Sequence, residues 1–188
     1  MFVMRRPSSQ DIERFLTASR SLPLSYDPVG IATQNPPGFR IDQHSAIVGY
    51  GDAAFERAKA ALTSWKHFEL GWVELFPKNA PIGPGSVVVV LVSHLGFWSL
   101  NGCRVVYAIG ADQREFGFAY GTLSNHAEAG EEVFKVSVNT ETGGVAYSIR
   151  AASRPRAALA QLGYPLTRAL QARFRHDSAR AVARAICG

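Results

Sequence analysis

Apolar residues along this chain change their spacing twice, and each change predicts a change of structure. Between Ser9 and Leu16 they fall on one face of a helix capped by Ser9, with Ile12, Phe15 and Leu16 in the stripe; Pro23 and Pro28 then end regular structure. Phe39 to Val48 reads as a strand. Asp52 caps a second helix whose stripe is Phe55, Ala58, Ala61 or Leu62, and Trp65. From Trp72 onward the pattern becomes short alternating or continuous runs rich in Val, Phe and Tyr: 72–76, 86–94, 97–100, 103–109, 115–123, 132–138 and 145–151. The pair Asn101-Gly102 predicts a hairpin turn, because both residues tolerate positive φ. The links at 110–113 and 140–144 are too short for helical crossovers, so the strands pair antiparallel. A last amphipathic helix over about 165–185 sets Leu166, Leu170, Phe174, Ala181 or Val182, and Ala185 opposite Arg168, Arg173, Arg175, Arg180 and Arg184.

This order predicts an α+β fold: a curved antiparallel β-sheet wrapped around a long C-terminal helix, with a helix after the first strand. At 188 residues, 47% hydrophobic and 19% charged, the composition suits one domain over 1–188. Residues 1–25 read as an N-terminal helical extension and 26–186 as the core. A chain of this length buries about 70% of its unfolded surface without staples.

Charge changes the picture less than its total suggests. The net +5 resolves into +7 from Arg150 onward, where eight arginines face only Asp177, and −2 before it. The basic helix lacks the interleaved aromatics of a single-strand platform, so nucleic acid is not the expected partner. Two cysteines, Cys103 and Cys187, give neither a disulfide framework nor a zinc set. Arg5-Arg6 opens like an export signal but no apolar run follows, and the uncharged stretch 79–103 is broken by Gly and Pro. A cytoplasmic protein without a membrane span is the expectation.

Three motifs invite chemistry. Gly49-Tyr-Gly51-Asp52-Ala53-Ala54 fits a dinucleotide fingerprint between strand and helix, yet no second βαβ unit follows and Asp52 would oppose a pyrophosphate. Nucleotide or phosphate binding at Gly49–Asp52 therefore stands as an alternative, with no cofactor the main expectation. His126, Glu128 and Glu131 could share a metal on one loop, but a solvated acidic loop is the favoured reading and no metal is expected. Alternation gives the third: Glu132 shares a face with Phe134, Val136 and Val138. The same rule groups Cys103, Val105 and Tyr107; Phe116, Phe118, Tyr120 and Thr122; and Tyr147, Ile149 and Ser153. A carboxylate among apolar walls needs a partner, and Arg154 is the one its strand position suggests.

Several stretches resemble one known family: Tyr26-Asp-Pro-Val-Gly30, Gly49-x-Gly51, Gly71-Trp72, Cys103-Arg-Val-Val-Tyr107, Gly117-Phe-Ala-Tyr-Gly-Thr-Leu123, Gly130-Glu-Glu132 and Ser153-Arg-Pro155. Together they are similar to uncharacterised protein family 0548, from about Tyr26 to Ala179. The family pattern expects a proline after His126, where this chain has Ala127. The resemblance implies no established reaction. It does imply a fold of the helix-grip, START-like kind, whose members often bind hydrophobic or amphipathic molecules between sheet and C-terminal helix, and some of which are cyclases or hydrolases.

The leading expectation is thus small-molecule binding in such a cavity, with no partner beyond that ligand implied. Trp65, Phe118, Tyr147 and Phe174 would form apolar walls; Tyr107, Tyr120, Thr122, Glu132 and Arg154 would orient the ligand. An enzyme using Glu132 or His126 as acid or base in the same cavity is the competing class.

Overall fold

A computed structural model describes residues 2–110, 114–156 and 164–187. Strand β1 (Phe2–Val3) and helix α1 (Ser9–Ser19) precede β2 (Arg40–Tyr50) and helix α2 (Gly51–Thr63). Six antiparallel strands follow: β3 (Val73–Phe76), β4 (Val87–His94), β5 (Phe97–Ile109), β6 (Glu115–Thr122), β7 (Glu128–Val138) and β8 (Gly144–Pro155). Helix α3 (Tyr164–Cys187) closes the chain. The sheet runs β2-β8-β7-β6-β5-β4-β3, with β1 added beside β5. The sequence-predicted α+β order is therefore the observed one, and the turn at 110–113 lies mostly outside the described residues.

The inner face holds the main core. Helix α2 contributes Phe55, Ala58 and Leu62, and α3 contributes Val182 and Ile186, against Phe118, Phe134, Val136, Val145, Tyr147 and Ile149. The outer face is covered as well. Ile12 and Leu16 of α1 pack on Val89, Leu91 and Leu100, while the segment around Tyr26, Ile31 and Ala32 covers Ala119, Val133 and Ala152. This two-sided burial explains why β4 reads as four consecutive valines rather than as strict alternation.

Three local expectations change. Ser8, one residue before the expected cap, closes a capping box with Asp11. Tyr50, not Asp52, is the cap position of α2, and Gly51 begins it with φ 77°. Asn101-Gly102 is not a turn; β5 runs through it, and the hairpin turns at Leu95-Gly96, whose φ values are 48° and 78°. Gly102 is instead a close approach, since a Cβ there would lie 2.4 Å from Asn125 Oδ1 and 3.1 Å from Ser19 Oγ.

Candidate functional site

Register brings four inward-facing positions into one row across the sheet: Tyr120 opposite Glu132, Glu132 opposite Ala151, and Ala151 opposite Asp42. At the spacing of paired strands, Glu132 and Asp42 stand roughly 10 Å apart with only a methyl group between them. Above this row a cavity of about 280 Å³ opens between the sheet and the first half of α3. Val73, Val90, Val92, Trp72, Leu170 and Phe174 give it apolar walls. The volume lies just under the range of ligand pockets, about 300–1,000 Å³, which suits a small ligand.

The polar end is built by α3. Arg168, Gln171 and Arg175 follow helical spacing and point at the sheet rather than at water. Arg168 grips Asp42 with both amino groups, and its side chain is only 18% exposed. Gln171 Nε2 donates to both oxygens of Glu128, at 2.9 and 2.8 Å. Arg175, 14% exposed, approaches Asp42 Oδ1 at 3.6 Å and donates no hydrogen bond among the described residues. The expected all-arginine solvent face therefore loses Arg168 to Asp42 and Arg175 to the cavity. Arg173 and Arg180 keep the outward position, around Asp177, and Arg173 also lies 4.6 Å over the Trp72 ring.

Glu132 accepts one hydrogen bond, from the Tyr120 hydroxyl to Oε2 at 2.8 Å. Oε1 has no partner among the described residues. Burial pushes the carboxyl up to about 7, against the lowering effects of the Tyr120 bond and the Arg175 charge; Glu128 and Asp42 push it further up. Burial also raises Glu128, with Gln171 and Arg168 acting the other way. Asp42 is lowered overall: burial opposes its ionisation, but Arg168, Arg175 and Arg40 prevail.

The residues expected to form the site divide three ways. Tyr120, Thr122, Glu132 and Phe174 line the cavity, although Thr122 is committed to Ser25 and to both backbone groups of Gly130. Trp65, Phe118 and Tyr147 lie in the packed core behind it: Trp65 Nε1 donates to Ala80 O at 2.7 Å, and the Tyr147 and Ser178 hydroxyls share a bond of 2.7 Å. Tyr107 and Arg154 point to the outer face. A β-bulge between Val105 and Tyr107 breaks the alternation and turns Tyr107 over, where its hydroxyl donates to Glu131 at 3.0 Å. Arg154 lies 4.6 Å over the Phe39 ring, so it does not pair with Glu132.

Glu131 ties together several of the stretches that carry the family resemblance. Its buried carboxylate accepts from Tyr26 Oη at 2.7 Å, Gly30 N at 2.8 Å, Tyr107 Oη at 3.0 Å and Ala32 N at 3.3 Å. Gly121 leaves room for the Tyr26 ring, whose hydroxyl would be 2.3 Å from a Cβ. The Tyr26–Gly30 segment, Gly121 and Glu131 are thus one clamp holding a loop on the outer face. The proposed metal set does not converge: Glu131 is in this clamp, Glu128 is on Gln171, and His126 Nδ1 accepts from Glu128 N at 2.9 Å. Burial holds the His126 imidazole neutral, down to about 3, which unsuits it as a base at neutral pH.

The Gly49–Asp52 turn also has a packing explanation. A Cβ at Gly49 would meet Ala54 Cβ at 2.8 Å, and Gly51 N donates to Gly143 O at 2.8 Å. The glycines and the first helical N–H are thus occupied by the protein itself.

Residues 25–181 match the family model described as "Domain of unknown function (DUF1990)". The chain belongs to this family. A UPF0548 protein of Dictyostelium discoideum is 35% identical over 99% of this chain and 96% of its own length. One from Deinococcus radiodurans is 34% identical over 98% of both chains. Among solved structures, a hypothetical protein of Helicobacter pylori has a TM-score of 0.58 at 10% identity, covering 85% of this chain and 96% of its own. Norcoclaurine synthase of Thalictrum flavum, solved with a transition-state analogue, gives 0.54 at 11%, covering 82% and 98%. The Zhui aromatase/cyclase of Streptomyces gives 0.52 at 16%, covering 79% and 93%. These likenesses establish a helix-grip fold for the DUF1990 chain. Among the described residues no helix is long and apolar enough to cross a membrane.

Proposed function

We propose that this protein binds a small amphipathic molecule between the curled sheet and α3. Its apolar body would rest on Val73, Val90, Val92 and Phe174, and its polar end would meet Glu132, positioned by Tyr120. The observation that carries this reading is the juxtaposition of an apolar cavity with the Glu132 carboxyl on its lining, one oxygen of which has no hydrogen-bond partner among the described residues. The two free thiols, Cys103 and Cys187, suit a reducing, cytoplasmic setting.

The test uses 4-phenylbutan-1-ol as probe, followed by methyl NMR. Saturable shifts are expected at Val73, Val90 and Val92, and the substitution Val92→Phe, which fills the cavity from its wall, should abolish them. Shifts scattered elsewhere, or surviving in the filled variant, would overturn the reading.

A second reading, an enzyme acting in the same cavity, is favoured by Glu132 alone. A carboxyl held near 7 is matched to general acid–base work at neutral pH. On any substrate found, Glu132→Gln should then lower the rate by about 10²–10⁴-fold; an unchanged rate removes the acid–base role.

A further inference from the structure

Among the described residues, Arg175 donates no hydrogen bond and Glu132 accepts one, on Oε2, so both have hydrogen-bonding capacity left over in the cavity. Arg175 comes down from α3 beside Asp42, and Glu132 rises from β7; the two make no ion pair with each other. The floor between Glu132 and Asp42 is Ala151, the smallest side chain that could stand there. Arg168 already holds both oxygens of Asp42, so Arg175 adds charge to that pair rather than a hydrogen bond. Arg175, 14% exposed, is held near Asp42 at 3.6 Å but donates no hydrogen bond among the described residues, so its N–H fork is free to take an acceptor from the cavity. The missing piece is an acceptor group above Ala151, flanked by one fork of N–H donors and one carboxyl oxygen.

We propose that the ligand of this cavity is a small apolar carboxylic acid, its carboxylate lying over Ala151 between the Arg175 guanidinium and a protonated Glu132. The inference rests on the binding reading above and names its ligand class. A carboxylate takes two parallel N–H bonds from arginine, which a hydroxyl or an amine does not. It also accepts the Glu132 O–H, so the site offers donors from both sides. Ionised Glu132 would repel the same ligand. The groups facing Glu132 are Tyr120, Cys103, Tyr147, Glu128, Asp42 and Arg175, and those beside Arg175 include His44 as well as Asp42. His44 is itself held below its ordinary value, chiefly by burial, with His176 and Arg175 adding to the effect. Between pH 6 and 8.5, Glu132, at about 7, changes its charge beside the ligand.

Calorimetric titration of 4-phenylbutyrate, 4-phenylbutan-1-ol and 4-phenylbutylamine at pH 6 and pH 8.5 tests this. The acid should bind at least about tenfold more tightly than the alcohol at pH 6, in keeping with a charge-assisted bond, and the amine most weakly. Its affinity should fall about tenfold or more by pH 8.5. Arg175→Met should level acid and alcohol, while Glu132→Gln should keep the preference at pH 6 and lose the pH step. Should Arg175→Met fail to fold, the pH step in the native protein and its loss in Glu132→Gln decide the matter. Equal binding of acid and alcohol, or an acid preference that survives Arg175→Met, overturns this inference and leaves the binding reading standing. No binding by any of the three overturns both.

Discussion

Glu131 and Glu132 are neighbours on one strand that face opposite ways, and their environments set opposite tasks. Four donors surround Glu131, so its charge is satisfied and it acts as a clamp. Glu131→Ala should strand two tyrosine hydroxyls and two backbone N–H groups, costing about 3 kcal/mol or more, read as a fall in the urea midpoint. Glu132, with one hydrogen bond, is destabilised by its own ionisation. Its folded value, about 7, lies above the ordinary 4.5. The stability it contributes is therefore full below pH 4.5 and lost as pH rises through 7. His67 acts with the opposite sign. Both its ring nitrogens lack hydrogen-bond partners among the described residues, inside a cage of Trp65, Phe68, Phe118 and Phe134, and burial holds it at about 3 against an ordinary 6.5. Its contribution is present above pH 6.5 and lost as pH falls towards 3. The urea midpoint of the native protein relative to that of Glu132→Gln should thus fall as pH rises from about 4.5 to about 7 and stay level above it, a comparison in which the opposite contributions of His67 and His126 cancel. A difference that does not change with pH would contradict the burial of an ionisable Glu132.

At the level of elements, the first half of α3 is held by polar contacts and the second half by packing. Arg168 and Gln171 bind Asp42 and Glu128, whereas Val182 and Ile186 enter the core. Asp42→Asn should therefore speed amide exchange in α3 before Arg175 and leave it unchanged beyond Val182. Uniform acceleration along the helix would contradict the division. This is also where the sequence was only half legible. Period-two spacing correctly placed Tyr120, Glu132 and Phe134 on the inner face, because those strands are regular there. It misplaced Tyr107, since a bulge adds one residue without a sequence mark, and it gave Glu132 the wrong cation. Pairing register decides which residues of distant strands meet, and neither Asp42 beside Ala151 nor Ala151 beside Glu132 can be read from a single strand. The spacing of Arg168, Gln171 and Arg175 was a visible signal, three polar residues flanking the apolar stripe of Leu170 and Phe174. Reading every arginine as solvent-facing concealed it. Asn101-Gly102 misled for a related reason: the glycine answers a crowded contact with Asn125, not a turn.

On the scale of the whole molecule, the sheet is covered on both faces but filled on only one stretch less than completely. Helix α2 and the second half of α3 complete the core, while the first half of α3 spans a cavity instead of closing it. The overall strand and helix order was legible because each element has its own periodicity; the cavity was not, because it is a difference between surfaces that do not touch. The central claim is that this space is a binding site for a small amphipathic molecule. The most direct test is native mass spectrometry of the protein after incubation with a total small-molecule extract, beside Val92→Phe. The account predicts a stoichiometric organic adduct on the native chain that is absent from the filled variant. A bare native mass, or the same adduct on both proteins, would contradict it.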